Sequence, residues 1–327
     1  MRTVTMVSVV MVGVLLLAGG AVLLPLLFDD SVTVAFSDKS NYETLIVAKE
    51  TGMLDEAGIK PYIVTGGVRA AEAMLTGSAD MAAMGDGPAV NTVAQNDNVK
   101  IVARFIGGEG MHRFIAFTDI ESPKDLEGKK VGLQQGSSTH GAFLRWLHAN
   151  DVNVTGPNSV KIVPMSPTEI PIAMEAGVNG ERQIDAMAGS EPWAINTERR
   201  CGSAVHEIGN SSGQGSTFPI TLLATQRIID RNPDAVRTMI DVLVRSNQFI
   251  LDNWDEAMEI CYTRTGVASI ADQDACSRLQ FYDVGFNETD IQSLTMAAQV
   301  LVDFGRLSNI PDIANRTDLS FLPDGGG

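Results

Sequence analysis

Apolar residues fall along this chain in two rhythms that take turns. A run with a period of two, Val32 to Phe36, gives way to helical spacing near Glu43 to Glu50 and then to a second short run, Tyr62 to Val64. The exchange continues with a predicted helix from Arg69 to Leu75 stopped by Gly77, a run at Asp80 to Met84, a helix from Pro88 to Ala94 and strands at Val99 to Phe105 and Arg113 to Phe117. A second cycle follows. It reads as a short helix at Ser122 to Leu126, a strand at Lys130 to Leu133, a helix at Ser138 to Ala149 and a strand at Val160 to Val163. A helix around Thr168 to Ala176, a strand at Ile184 to Ala188, a helix from Pro192 to Arg199 and a strand at Val205 to Ile208 complete it. Alternation of this length predicts an α/β fold.

Past the Gly- and Ser-rich stretch from Gly209 to Ser216, one strand at Ile220 to Ala224 precedes a tail that is nearly all helix. Asn232-Pro233 opens a helix to about Asn253, with Ile240, Leu243, Val244 and Phe249 or Ile250 on one face. Thr289 to Gln292 reads as a capping box for another, whose apolar face includes Leu294, Ala298, Leu301 and Val302. The pattern therefore predicts two α/β lobes. Residues 31–117 plus 219–327 form lobe 1 and residues 118–218 form lobe 2, and the two crossings between them make a hinge.

One stretch breaks both rhythms. Thr3 to Phe28 carries no charge, and Val4 to Leu24 is almost wholly apolar, long enough at ~1.5 Å per residue to cross a ~30 Å hydrocarbon layer. Arg2 stands before it and Asp29 and Asp30 after it, so the positive-inside bias places the remainder outside the cytoplasm. Residues 1–30 are predicted to be a signal peptide or membrane anchor. A retained anchor is favoured, because the apolar run continues past the small residues Ala18 to Ala21 as far as Leu27.

Composition narrows the possibilities. A chain with 44% hydrophobic and 20% charged residues folds, and no segment repeats itself, so disorder and solenoids are excluded. Acidic residues outnumber basic ones 40 to 24 and the formal charge is -16, with no basic stripe, which excludes nucleic acid as a partner. The cysteines Cys201, Cys261 and Cys276 lack metal spacing, and an odd number leaves at least one thiol over; Cys261 and Cys276 either close a loop or stay free. No metal or cofactor is predicted. Asn153, Asn210, Asn287 and Asn315 lie in glycosylation triplets. No G-x-S-x-G elbow, P-loop or H-E-x-x-H occurs.

Candidate chemistry concentrates where small-residue strand ends run through polar residues into helix starts, each a cradle for an anion or polar group. The first such turn is Gly85-Asp86-Gly87 before Pro88, the second Ser137-Ser138-Thr139, the third Ser190-Glu191-Pro192-Trp193. In open α/β sheets ligands bind at the carboxyl ends of strands, so the turns point to one interlobe cleft. Asp86 either pairs with a ligand amine or caps its helix, and Glu191 either reads an ammonium or faces the helix dipole. Trp193 is a cleft wall or a core residue. His112 and His140 are oxyanion donors or satisfied histidines, Arg113 is a cleft cation or, as the favoured reading, an ordinary strand-face charge, and Ser40, Asn41 and Tyr42 follow the first strand as further candidates.

Together Ala48-Lys-Glu-Thr-Gly-Met-Leu54, Leu75-Thr-Gly-Ser-Ala-Asp80, Gly85-Asp-Gly-Pro88, Ser122-Pro-Lys-Asp-Leu-Glu-Gly-Lys-Lys-Val131, Gly136-Ser-Ser138 and Glu191-Pro-Trp193 carry a resemblance that runs from Val32 to Gly305. The chain resembles the substrate-binding components of nitrate, sulfonate, taurine and thiamine-precursor ABC transporters, the sulfonate-binding and NMT1/THI5-like proteins. The resemblance implies a bilobal type II periplasmic-binding-protein fold and a monomer that closes on its solute and delivers it to a membrane permease driven by a cytoplasmic ATPase. It also implies that the three turns contact ligand. Helix starts with hydroxyls suit an oxyanion and two nearby carboxylates suit a positive charge, so taurine or a related sulfonate ranks first, an aminopyrimidine second and nitrate or bicarbonate third. Enzymes sharing the scaffold, a pyrimidine synthase and a desulfinase, would need a cysteine cluster or a first-lobe cysteine, and none precedes Cys201. The loop Asn179-Gly-Glu-Arg182 departs from the family pattern and is expected to reshape one side of the cleft.

Overall fold

The computed structural model describes residues 31–323. The predicted signal peptide or anchor, residues 1–30, lies outside the described residues, and among those described no helix is long and apolar enough to cross a membrane. The chain builds two five-stranded mixed sheets. In the first, β1 (Val32–Ser37) and β3 (Met81–Gly85) pair in parallel at the centre, with β2 (Ile59–Val64) outside β1. β10 (Ile220–Thr225) inserts antiparallel between β3 and β4 (Val99–Ile106). The second sheet repeats the plan: β6 (Lys130–Leu133) pairs in parallel with β7 (Lys161–Pro164) and β8 (Ala186–Ser190), and β5 (His112–Phe117) lies antiparallel between β8 and β9 (Val205–Asn210). Every residue of β3 and of β8 is buried. Such strands are covered on both faces, which is why they read as continuous small apolar runs rather than alternating ones.

The helices joining these strands are α1 (Glu43–Glu50), α2 (Met53–Glu56), α3 (Gly67–Leu75) and α4 (Asp86–Gln95) in the first lobe. In the second they are α5 (Ser138–Ala149), α6 (Ile170–Val178) and α7 (Trp193–Cys201). The tail contains α8 (Gln226–Arg231), α9 (Pro233–Asp252), α10 (Trp254–Thr265), α11 (Ile270–Ser277) and α12 (Glu288–Asp303). α12 joins both lobes: Leu294, Ala298 and Leu301 enter the first core beside Met84 and Val90, while Val300 enters the second beside Phe143 and Trp146.

The sequence pattern misplaces the hinge. β5 belongs to the second sheet, so the chain leaves lobe 1 between Ile106 and His112, ahead of the expected exit at Phe117. The cause is pairing: β5 finds its partners in β8 and β9, and strand periodicity says nothing about which sheet a strand joins. The exit hydrogen-bonds to the return segment, Gly108 N donating to Thr217 O at 2.7 Å. A Cβ at Gly108 would stand 2.1 Å from Leu279 O, so glycine lets the tail pack directly against the hinge. The capping box of α12 also lies two residues earlier than expected: Asn287 caps the helix and Asp290 reaches back to its N–H, because asparagine accepts from Thr289 and Asp290. Cys201, Cys261 and Cys276 are buried free thiols. The loop at 179–182 turns away from the cleft, Arg182 pairing with Asp119 at 2.8 Å and stacking on Phe117.

Candidate functional site

The carboxyl ends of the parallel strands in the two sheets meet around a cavity of about 50 Å³. From lobe 1 it receives Lys39, Asn41 and Tyr42 after β1, Val68 at the start of α3, Gly85 at the end of β3 and Pro88 in the first turn of α4. From lobe 2 come His112, Gln134, Ser137, Ser138, Thr139, Ser190 and Trp193. His112 opens β5 directly opposite Ser190, which ends β8, so antiparallel register sets the two side by side on the cavity floor.

Of the residues singled out in the sequence, Asn41, Tyr42, Gly85, His112, Ser137, Ser138, Thr139, Ser190 and Trp193 line the cavity. Ser40, Asp86, Gly87 and Glu191 do not. Ser40 is buried, its carbonyl accepting from Gln280 Nε2 at 2.8 Å. Asp86 is the first residue of α4, is 1% exposed, and accepts from Gly87 N at 2.7 Å. Gly87 packs against the Ser137–Ser138 backbone of the opposite lobe. Glu191 is held by Arg113 at 2.9 Å and by Ile195 N–H at 2.9 Å. Arg113 is therefore no ordinary strand-face charge, since it also pairs with Glu198 and Glu207. His140 closes the second turn, Nδ1 accepting from Gly136 N at 3.3 Å.

Ser137 caps α5, its hydroxyl accepting from His140 N and donating to Gln134 O. The N–H groups of the following turn have no intrahelical partner and carry the positive end of the helix dipole. Thr139 Oγ1 and His112 Nδ1 share a hydrogen bond of 2.9 Å. Burial, aided by the fields of Arg145 and Lys39, pushes His112 down to about 3, so its imidazole is neutral at pH 7. Three buried polar atoms of cavity-lining residues have no hydrogen-bond partner among the described residues: Asn41 Oδ1, His112 Nε2 and Trp193 Nε1. Native proteins rarely leave such atoms unsatisfied, which makes them the natural contacts of a bound solute or water.

Lys39, which the sequence reading passed over, is the one lysine, arginine or carboxylate side chain on the lining among the described residues; it is only 8% exposed. Burial lowers its pKa to about 8 against the opposing field of Asp38. Its sequence signal was its place at the carboxyl end of β1, in the same polar run as Asn41 and Tyr42.

Two mixed sheets of matching order, joined by two crossings and facing each other over a polar cavity, define the bilobal periplasmic-binding-protein fold. The family model described as NMT1/THI5 like matches residues 39–257. The chain belongs to that family. A relative from Brucella abortus (strain 2308), named only in general terms as a binding protein, is 28% identical over 218 residues; the match spans 65% of this chain and 65% of the relative's length. The alkanesulfonate-binding protein SsuA from Xanthomonas axonopodis pv. citri, solved bound to MOPS, superposes with a TM-score of 0.76 at 18% identity, over 88% of this chain and 98% of that one. The periplasmic aliphatic sulphonate binding protein SsuA from Escherichia coli gives 0.75 at 16% identity, over 88% and 91%. The desulfurization enzyme DSZB has the same fold, with a TM-score of 0.66 at 16% identity over 89% of this chain and 97% of that one.

Proposed function

We propose that this protein is the extracytoplasmic solute-binding component of an ABC importer, a monomer that captures a small sulfonate- or nitrate-like anion between its lobes and delivers it to a membrane permease. The observation that carries this reading is the charge of the cavity. Among the described residues its lining holds a lysine and no carboxylate, and the start of α5 adds a second positive field. The sequence placed taurine first because two carboxylates stood near the cleft. With Glu191 held by Arg113 and Asp86 turned into the lobe interface, a ligand amine loses its partners, and so does an aminopyrimidine.

Size supports the same ranking. The cavity is on the scale of a single small anion, well below the ~300 Å³ of ordinary small-molecule pockets. An adjoining cavity of about 250 Å³ shares Val68 and Pro88 with it and is lined by Ala71 and Leu301, which gives a short apolar tail somewhere to go. Binding is favoured over catalysis by the same residues: the lining holds no cysteine among the described residues, and a histidine with a pKa near 3 is a poor base for the neighbouring Thr139 hydroxyl.

A thermal-shift screen of the purified protein against alkanesulfonates, taurine, nitrate, bicarbonate and aminopyrimidines tests the proposal. A solute at a hundred times its Kd adds about 2.7 kcal/mol of stability. Stabilisation by sulfonates or nitrate is the expected result. Stabilisation by aminopyrimidines alone, or by none of the set, overturns it.

A further inference from the structure

The ligand can be narrowed further by charge, an argument that rests on the binding reading above. Lys39 lies at the carboxyl end of β1 with its ammonium 5.9 Å from the centroid of the Trp193 ring. A Cβ built at Gly66 would stand 3.7 Å from Lys39 Nζ and 3.8 Å from the Gln134 amide, so a backbone turn and an uncharged side chain lie beside it. Among the described residues no carboxylate comes within ion-pair distance of it. The titratable groups around it are few. Asp38 is on its own loop and exposed, Tyr42 is on the following turn and burial holds its phenol protonated, and His112 on β5 is neutral. A buried ammonium with no counter-charge is an unfavourable arrangement unless something supplies one. The indole face offsets part of that cost but brings no negative charge.

The two carboxylates that an amine-bearing solute would need are already engaged. Glu191 accepts from Arg113 and from Ile195 N–H, and Asp86 accepts from Gly87 N–H in the field of Arg145. The adjoining cavity toward which a tail would run offers Asn91, Thr92, Gln135 and Arg306 as its polar groups, again with no carboxylate among the described residues. We propose that Lys39 is the charge selector of the cleft, admitting solutes with one net negative charge and discriminating against sulfonates whose tail ends in an ammonium. A monoanion supplies the missing counter-charge. A zwitterion leaves the site with a net positive charge and strips water from its own ammonium without pairing it.

The matched probes are 1-propanesulfonate and taurine, which differ in a terminal methyl against an ammonium. Calorimetric titration of the purified protein at pH 7 should show propanesulfonate binding at least tenfold more tightly than taurine. Lys39→Met should weaken propanesulfonate at least tenfold and narrow the gap between the probes, while melting no lower than the parent protein, because it removes an unpaired buried charge. Lys39→Arg should recover part of the loss. The pH profile separates a charge role from a shape role. Lys39 must be protonated to hold an anion, so propanesulfonate affinity should fall as pH rises through about 8 and should stay flat over that range in Lys39→Arg. Taurine binding as tightly as propanesulfonate, or Lys39→Met binding as the parent does, overturns the selector and leaves the receptor reading standing. Failure of propanesulfonate, taurine and nitrate alike to bind overturns both.

Discussion

At Trp193 two contributions share one side chain: the ring faces the Lys39 ammonium, and the buried Nε1–H has no partner among the described residues. Substitution separates them. Trp193→Phe keeps an aromatic face and deletes the donor, and a hydrogen bond to a charged group is worth about 1.5–3 kcal/mol. Anion affinity should therefore fall roughly 10- to 100-fold with little change in Tm. Calorimetry on the variant decides, and unchanged affinity removes the indole N–H from the ligand contacts. Single side chains are also where the sequence pattern stops short. Asp86 and Glu191 were visible as carboxylates at helix starts, but whether a carboxylate is free depends on its partner. For Glu191 that partner is Arg113, 78 positions away in the chain. Lys39 was missed for the converse reason: in a polar run between strand and helix a lysine reads as a solvated loop charge, and only the closing of the second lobe over it leaves it buried.

Among the elements, the tail is fastened to the first lobe by a buried carboxyl. Glu43, in the first turn of α1, accepts from Ser277 Oγ at 2.7 Å and Gln273 Nε2 at 2.5 Å on α11, and also from Tyr282 OH. Burial outweighs these donors and raises its pKa to about 8. The folded value lies above the unfolded one of ~4.3, so Glu43 contributes a stabilising protonation that is fully present below ~4.3 and is lost as pH rises through about 8. The loss is on the order of a few kcal/mol. Glu43→Gln should flatten the fall in Tm between pH 5 and 9 relative to the parent protein. Parallel Tm profiles for the two proteins would show that Glu43 does not change protonation on unfolding in this window. Element types were largely legible from the sequence, because periods of two and 3.6 leave distinct apolar patterns in β1, α5 and α9. What remained hidden was partnership across distance, as in the sheet that β5 joins and the side-chain cluster that ties α11 to α1.

Across the whole molecule, closure depends on how nearly the two lobes can approach, and the glycines of the first turn set that limit. Gly87 is in α4 of lobe 1, and a Cβ there would meet Ser138 N at 3.2 Å and Ser137 C at 3.3 Å in lobe 2. Behind this contact Asp86 faces Arg145, a charge pair divided between the lobes, and Ser138 Oγ lies 3.4 Å from Gly87 N. Arg145 Nη1 and Nη2 have no hydrogen-bond partner among the described residues, so the attraction to Asp86 acts through the field rather than a direct bond. Gly87→Ala tests closure apart from ligand contact, since Gly87 does not line the cavity. Alanine raises helix propensity by up to about 1 kcal/mol, so α4 should hold or gain stability. The added methyl presses on backbone that cannot swing aside, so the lobes should close less completely. Anion dissociation should accelerate about tenfold, equivalent to ~1.4 kcal/mol. X-ray scattering at saturating anion should show a larger radius of gyration than the parent protein. If dissociation and radius both match the parent, the lobes absorb the methyl and the first turn does not limit closure. If dissociation accelerates while the radius stays the same, Gly87 acts by positioning the Ser137–Ser138 turn rather than by holding the lobes together.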